Sequence, residues 1–354
     1  MATYKQSGVN LENGDKSSKI AYDMAKKTFS IRDGRIGNPV LFEGGFSGAL
    51  DFGDFYLLQN SDGVGSKIVI SDAIKNYDGI GYDLLAMVAD DAVCVGAETV
   101  SITNTIDTEN VDPEVIKKMM NSLKNACLEQ KIVIPGGEIA ELPGIVKGNS
   151  WNATALGIVK KNKFIDGKNV KPGDKIFGLK SKGFRSNGFS LIRFILEKKF
   201  GKRWFDELYC SRRTWGKVVL TPSFIYSNAI LDLIGRYDED ATADIKSIIH
   251  VTGGGIPGNI LRGLNGYGAK LDKLFSPIKM MLLLQEFGNV DDEEAYRVWN
   301  MGVGMILISN DENKIKEIMK KHGIVVKQIG TVIDEKKVIL TSQGLYKHGE
   351  ILKF

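Results

Sequence analysis

Histidine and cysteine are scarce: three of each stand in 354 residues, at His250, His322 and His348 and at Cys94, Cys127 and Cys210. The cysteines are far apart and odd in number, so they build neither a disulfide framework nor a zinc site. Each reads as a small buried hydrophobe, and a reducing, cytoplasmic location is the expectation. Long apolar runs are missing as well. No stretch approaches the roughly 20 apolar residues that a membrane-crossing helix needs, and MATYKQSGVNLENGDKSSK at the N-terminus has no apolar signal core. Charge of one sign is also lacking, since 47 Lys and Arg face 43 Asp and Glu. Basic residues so spread out leave no electrostatic footprint for nucleic acid. Neither GxxxxGK[ST] nor a strand-following GxGxxG is present, which excludes a standard P-loop or dinucleotide fold.

Glycine, by contrast, is plentiful: 40 residues, well above the roughly 7% of ordinary usage. It gathers in GGFSGAL (44–50), DGVGSK (62–67), GGE (136–138), GFRSNG (183–188), TGGG (252–255) and MGVG (301–304), each beside an apolar run. Glycine in such places allows positive φ or close approach of backbone to ligand. A site assembled from several loops is therefore expected.

The first forty residues are polar and weakly periodic, as in a mobile arm. Beyond them the pattern predicts a strand over 55–59, a continuing strand over 67–72 and a helix over 81–95. A strand over 100–105 leads to a helix over 113–130 with Asp112 as N-cap, then strands over 131–135 and 152–159 around a Gly136–Gly137–Glu138 loop. The segment KKNKFIDGKNVKPGDK (160–175) is charged and almost free of core residues, which divides the chain into two α/β domains, 1–170 and 171–354. In the second, residues 324–333 are expected to form a hairpin with 337–340.

Acids recur beside these glycines. Asp62 leaves a strand, Asp83 and Asp90 share one helix face with Asp91 a step round it, and Glu138 follows a double glycine. Mg²⁺ takes its oxygens from carboxylates, phosphates and water. Asp62, Asp91 and Glu138 are thus the metal candidates, with Gly63, Gly65, Gly136 and Gly137 opening backbone N–H groups to phosphate. Each acid or glycine taken singly reads equally well as solvated surface or turn. Lys67 is a point charge for phosphate or else a solvated residue. His250, at a strand end before Gly253, Gly254 and Gly255, is a candidate for acid–base or phosphate contact or else a structural residue. Ser186 and Asn187 offer hydrogen bonds at a helix start, where an ordinary N-cap would look the same. Residue reading alone reaches a two-domain α/β enzyme with a glycine-lined, multi-acid phosphate site, and names no substrate.

The motifs in order go further. YKQSGV (4–9), GGFSGAL, SDGVGSK, GYDLLAMVADD (81–91), GGEIAELPG (136–144), KGFRSNGFSLIR (182–193), HVTGGGIPGNILR (250–262) and GNVDDEEAYRVWNMGVGM (288–305) together resemble the aminoimidazole ribonucleotide synthetase, or phosphoribosylformylglycinamidine cyclo-ligase, family. The resemblance implies an N-terminal α/β domain forming a barrel-like dimer interface, a C-terminal α/β domain, and a homodimer. It implies ATP and Mg²⁺ as cofactors and formylglycinamidine ribonucleotide as substrate, closed to aminoimidazole ribonucleotide with release of ADP and phosphate. Asp62, Asp91 and Glu138 would hold metal and ATP phosphates, and Lys67 would lie near the nucleotide. Asn187, His250 and Gly253–Gly255 would complete the substrate cleft. Two departures stand out: Arg185 where relatives usually read histidine, and Asp90 where asparagine is common. Arginine keeps charge but cannot serve as a base near neutral pH. The alternative is a sister activity of the same superfamily, of the thiamine-monophosphate kinase or selenophosphate synthetase kind.

Overall fold

A computed structural model of the chain describes residues 2–41 and 47–354. Gly44, Gly45 and Phe46 of the GGFSGAL motif lie outside them.

Six strands form the first sheet: β1 (Asn38–Val40), β2 (Gly48–Asp51), β3 (Phe55–Gly63), β4 (Glu98–Thr108), β5 (Val133–Glu141) and β6 (Asn149–Lys160). Their order is β1-β2-β3-β6-β4-β5, antiparallel except for the parallel β4–β5 pair. A parallel pair needs a crossover, and α4 (Pro113–Gln130) supplies it. Asp112 caps that helix by accepting from the N–H groups of Glu114 and Val115, with Pro113 in the first turn. The ladder outruns the sequence expectation at two points. β3 continues to Gly63 opposite Asn152, and Gly136–Glu138 is strand opposite Thr103–Thr105 rather than loop.

Alternation then sorts the side chains. Leu58, Ala153, Ala155, Ile102 and Ile106 are buried on the face toward α3 (Ile80–Val93) and α4. Ser61, Asn152, Thr103, Thr105 and Glu138 belong to the opposite, open face.

The expected barrel-like architecture is not formed. Among the described residues the sheet is open, with β1 and β5 as unpaired edges. The edges themselves explain this: β1 is three residues long and holds Pro39, and β5 holds Pro135. Proline cannot donate to a ladder, so it belongs at an edge.

The strand expected over 67–72 is also replaced. Gly65, at φ +57°, turns the chain out of β3, and α2 (Ile68–Ile74) follows, burying Ile68, Ile70 and Ser71.

Seven strands form the second sheet: β7 (Lys175–Lys180), β10 (Ile245–His250), β11 (Gly268–Leu271), β12 (Val303–Ser309), β13 (Val326–Ile333), β14 (Val338–Thr341) and β15 (Ile351–Lys353). The order is β10-β12-β7-β13-β11-β14-β15, and a small ribbon of β8 (Leu208–Cys210) and β9 (Arg213–Thr214) stands apart. No β13–β14 hairpin exists. β11 lies between the two, antiparallel to β13 and parallel to β14. Gly268 makes this insertion possible, because a side chain there would strike the carbonyls of Glu335 and Lys337. Helices α5 (Phe189–Phe200), α6 (Trp215–Val219), α7 (Ser227–Ile234) and α8 (Gly255–Ile260) belong to this half.

The two halves meet on α3, where 12 of the 14 residues are buried, so the helix has no solvent face. The N-terminal arm is not loose throughout. The Ala2 N–H donates to the Gly288 carbonyl at 2.7 Å and the Tyr4 N–H to Glu294 Oε1 at 2.7 Å, fastening the start of the chain to the second half. Helix α1 (Leu11–Lys26), capped by Asn10, buries nothing.

Candidate active site

A helix buried on every side must neutralise its acids or leave them to a ligand. α3 does both. Asp83 pairs with Lys67 at 2.7 Å, each side chain 1% exposed. The Lys67 ammonium also donates to the carbonyls of Arg185 (3.1 Å) and Thr221 (2.9 Å). Its three N–H groups are thereby used, and none is left for a phosphate. Burial pushes Lys67 down and Asp83 up, each opposed by the other's charge. Lys67 is thus a tie between the halves, and the sequence expectation of a nucleotide contact is not met.

Asp90 pairs with Arg185 at 2.7 Å, again fully buried. Burial raises Asp90 even against Arg185, while burial of Arg185 is outweighed by Asp90, which raises the guanidinium. The guanidinium decides the state of the pair, because arginine does not release its proton in proteins.

Asp91 is different. Its Oδ1 lies 2.7 Å from His250 Nδ1 at the end of β10. Burial drives its carboxyl up to about 7, with Arg262 and Arg185 pulling the other way. Asp62 lies on the sheet face toward α3, at the register position of Ala153. Burial carries it up to about 6, with the charge of Asp91 adding to the rise. These two acids therefore share one neighbourhood, and each resists ionisation until a cation arrives.

His250 is 0% exposed, and burial, then Arg185, pushes it down to about 3. It is neutral, and once Asp91 is ionised Nδ1–H donates to it and Nε2 is left as an acceptor. That Nε2 is buried without a partner, as are Ser186 Oγ, Asn187 Nδ2 and Trp299 Nε1. Orphaned polar atoms are expensive unless a ligand completes them. The Asn187 side-chain Oδ1 sits beside Gly253, and Gly188 lies against the Trp299 indole. Asn259 braces the glycine loop, its Nδ2 donating to the Gly253 and Gly255 carbonyls at 3.0 and 2.8 Å. Gly254 and Gly188 precede α8 and α5, and no side chain caps either helix.

Glu138 is not brought to this place. It lies in β5, opposite Thr105, which is opposite Asn152, which is opposite Gly63. Three strand spacings and the change of face separate it from Asp62, and Gly136 and Gly137 lie in the same distant strand. Gly65 lies beside the Ser186 carbonyl, whereas Gly63 lies against Asn152 on the open face of the sheet. Arg262 and Trp299 stand inside the motifs HVTGGGIPGNILR and YRVWNMGVGM, but nothing in those motifs marks Arg262 as a charge acting on Asp91 or Trp299 Nε1 as unpartnered.

Two α/β halves sharing an acid-bearing helix define a class. The AIR synthase related protein family matches over both, its N-terminal domain at residues 46–159 and its C-terminal domain at 171–343. The chain belongs to the phosphoribosylformylglycinamidine cyclo-ligase family and is an ATP-dependent ligase. The phosphoribosylformylglycinamidine cyclo-ligase of Pyrococcus furiosus is 34% identical over 347 residues, 98% of this chain and 99% of its own. That of Pyrococcus horikoshii is 36% identical over 348 residues, with the same coverage. Thiamine-monophosphate kinase from Stenotrophomonas maltophilia K279a has a TM-score of 0.61 at 16% identity, over 92% of this chain and 96% of its own, a likeness of fold alone. Among the described residues no helix is long and apolar enough to cross a membrane.

Proposed function

We propose that the chain converts formylglycinamidine ribonucleotide and ATP to aminoimidazole ribonucleotide, ADP and phosphate in the cleft between α3 and β10, as a step of purine biosynthesis. The observation that carries the site is the pair Asp62 and Asp91, neighbouring acids driven toward neutrality beside a glycine-lined cleft. They fit Mg²⁺, which takes one or two carboxylates and fills its shell with phosphate and water. Among the described residues no group of three or more His, Cys, Asp or Glu could hold a metal ion. The ion would therefore enter with the nucleotide, held by Asp62 and Asp91, and would offset charge on the transferring phosphoryl group.

The remaining roles follow from the unpartnered groups. Ser186, Asn187 and the Gly253–Gly255 backbone would bind phosphate oxygens at the uncapped starts of α5 and α8. In the reaction the γ-phosphoryl group passes from ATP to the formyl oxygen and ADP is released. A substrate nitrogen then attacks that carbon, the C–O bond breaks and phosphate leaves as the ring closes. His250 Nε2 would accept a hydrogen bond from the attacking nitrogen's N–H and orient it.

In this reading residues 1–170 hold the nucleotide and 171–354 complete the substrate cleft. A homodimer belongs to it, supported by the open face of the first sheet, where Leu57, Leu156 and Ile158 are half-buried, and by exposed Val133 and Ile139 on β5. So does a reducing, cytoplasmic location, supported by three free cysteines, one of them exposed.

The test is ADP release by purified protein with Mg²⁺ and ATP, with and without formylglycinamidine ribonucleotide, while the aminoimidazole product is followed. Product equal to ADP supports the reading. ATP turnover that ignores this substrate would overturn it.

A further inference from the structure

Arg185 is a buried arginine in a left-handed backbone conformation, at φ +61°. Such a conformation is disfavoured for a residue with a side chain and persists only where the surroundings hold it. Its guanidinium gives Nη2 to Asp90 Oδ2 at 2.7 Å and, at 3.3 Å, to the Ala86 carbonyl. It lies over the Tyr226 ring, 5.0 Å from the centroid. Asp90 Oδ1 accepts the N–H groups of Tyr226 (2.9 Å) and Ser227 (3.0 Å).

One carboxylate thus gathers three segments: α3, the loop before α5, and the start of α7. The residues next in sequence are the ones turned to the cleft. Asp91 follows Asp90 and bonds His250. Ser186 and Asn187 follow Arg185 and hold orphaned atoms. Arg185 gives its Nη2 to Asp90 and Ala86 while its Nε and Nη1 are buried without a hydrogen-bond partner; it is 1% exposed and cannot act as a base. A proton-accepting part, which the histidine of relatives could play, is closed to this residue.

We propose that Arg185 and Asp90 are a positioning pair for the cyclo-ligase site: their ion pair sets Asp91 and His250 in register with Ser186 and Asn187 across the two halves of the chain. The inference rests on the cyclo-ligase reading. It also makes the two departures noted in the sequence a single change, since each residue is the other's partner. A buried pair tolerates joint replacement by neutral groups far better than loss of one member, which leaves an unpaired charge.

The experiment is a double-mutant cycle on the full chain: Asp90→Asn, Arg185→His, both together, and Arg185→Lys as the charge-conserving variant. The readout is the KM for ATP in product formation, because KM does not depend on how much of a preparation is folded. Each single variant is expected to raise KM about tenfold, and the double variant to return within about threefold of the unsubstituted protein. Arg185→Lys should stay closer to the unsubstituted protein than Arg185→His. A double variant whose loss is the product of the single losses overturns the pairing, as does an Arg185→His protein with unchanged KM. Should a single variant not fold, the double decides: folded and active supports the pair, no better than the single overturns it. Absence of product from the unsubstituted protein would instead overturn the cyclo-ligase reading, and this role with it.

Discussion

Lys67 and Asp83 meet at 2.7 Å with each side chain 1% exposed, joining the loop after β3 to the helix that both halves share. The contact decides what this lysine is for. Breaking a buried pair from one side costs about 3–5 kcal/mol, because the remaining charge is stranded. We predict that Lys67→Met lowers the denaturation midpoint by an amount on that scale, and that Lys67→Met with Asp83→Leu recovers part of it. Denaturant titration measures both. An unaltered midpoint with a raised KM for ATP would return Lys67 to the nucleotide site.

Asp91 should behave in the opposite way. It bonds His250 and is driven up by burial, so its charge is a burden to the folded protein until a cation arrives. Asp91→Asn is expected to leave thermal stability near that of the unsubstituted protein and to cut ADP release more than about tenfold. Full turnover at saturating Mg²⁺ would remove Asp91 from the site.

The same acids set a pH dependence. In the folded protein Asp62 titrates at about 6 and Asp91 at about 7, both above the ordinary 3.8. Raised acids stabilise the ligand-free fold fully below the unfolded value and lose that stabilisation as pH rises through the folded one. His250, pushed from 6.5 to about 3, acts in the other direction below 6.5, so the informative window lies above it. From pH 6.5 to 8 the ligand-free protein should lose stability on the order of 1 kcal/mol through Asp91. Across that window the rise in melting temperature produced by Mg²⁺ with ATP should grow, since the ion binds the ionised acids. Thermal scans with and without ligand at both pH values test this. A ligand-induced rise that is equal at both ends would contradict it.

The open face of the first sheet leads to a prediction about assembly. Leu57, Leu156 and Ile158 remain half-buried there, and β5 offers an unpaired edge. Sedimentation equilibrium should return twice the mass of the 38.9 kDa chain. A monomer mass independent of concentration would exclude the dimer. Unpaired edges and apolar sheet faces are surfaces that proteins usually cover.

Local rules made much of this legible. Asp112 and Pro113 gave the start of α4, and alternation gave the interior of β6. The ordered glycine motifs gave the family. Legibility failed where distant residues decide. Whether Lys67 meets phosphate or Asp83 depends on Thr221 and Arg185, more than a hundred residues later. Glu138 seemed to join Asp62 because each follows a strand in sequence. The register that places them three strands apart, on opposite faces, belongs to pairing rather than to spacing. The hairpin expected of β13 and β14 failed similarly, because β11 is contributed by a segment more than fifty residues earlier. The barrel was a feature of the resemblance and had no signal in the residues. Pro39 and Pro135 already spoke for edges.

The docking of the first residues bears on how the chain reaches this state. Tyr4 and Glu294 are 290 positions apart, yet bonded. During synthesis the start of the chain must wait until nearly the whole polypeptide has left the ribosome before it finds its seat. Lys67 waits for Thr221, and Asp90 for Tyr226, in the same way. Domains that fold as they emerge usually complete themselves in order. Here the first half supplies Lys67 for Asp83 but no partner for Asp90, so α3 keeps a carboxylate without its Arg185 until the second half arrives. Maturation is then a late, concerted docking event, and a truncated first half would be a poor stand-in for its counterpart in the whole protein.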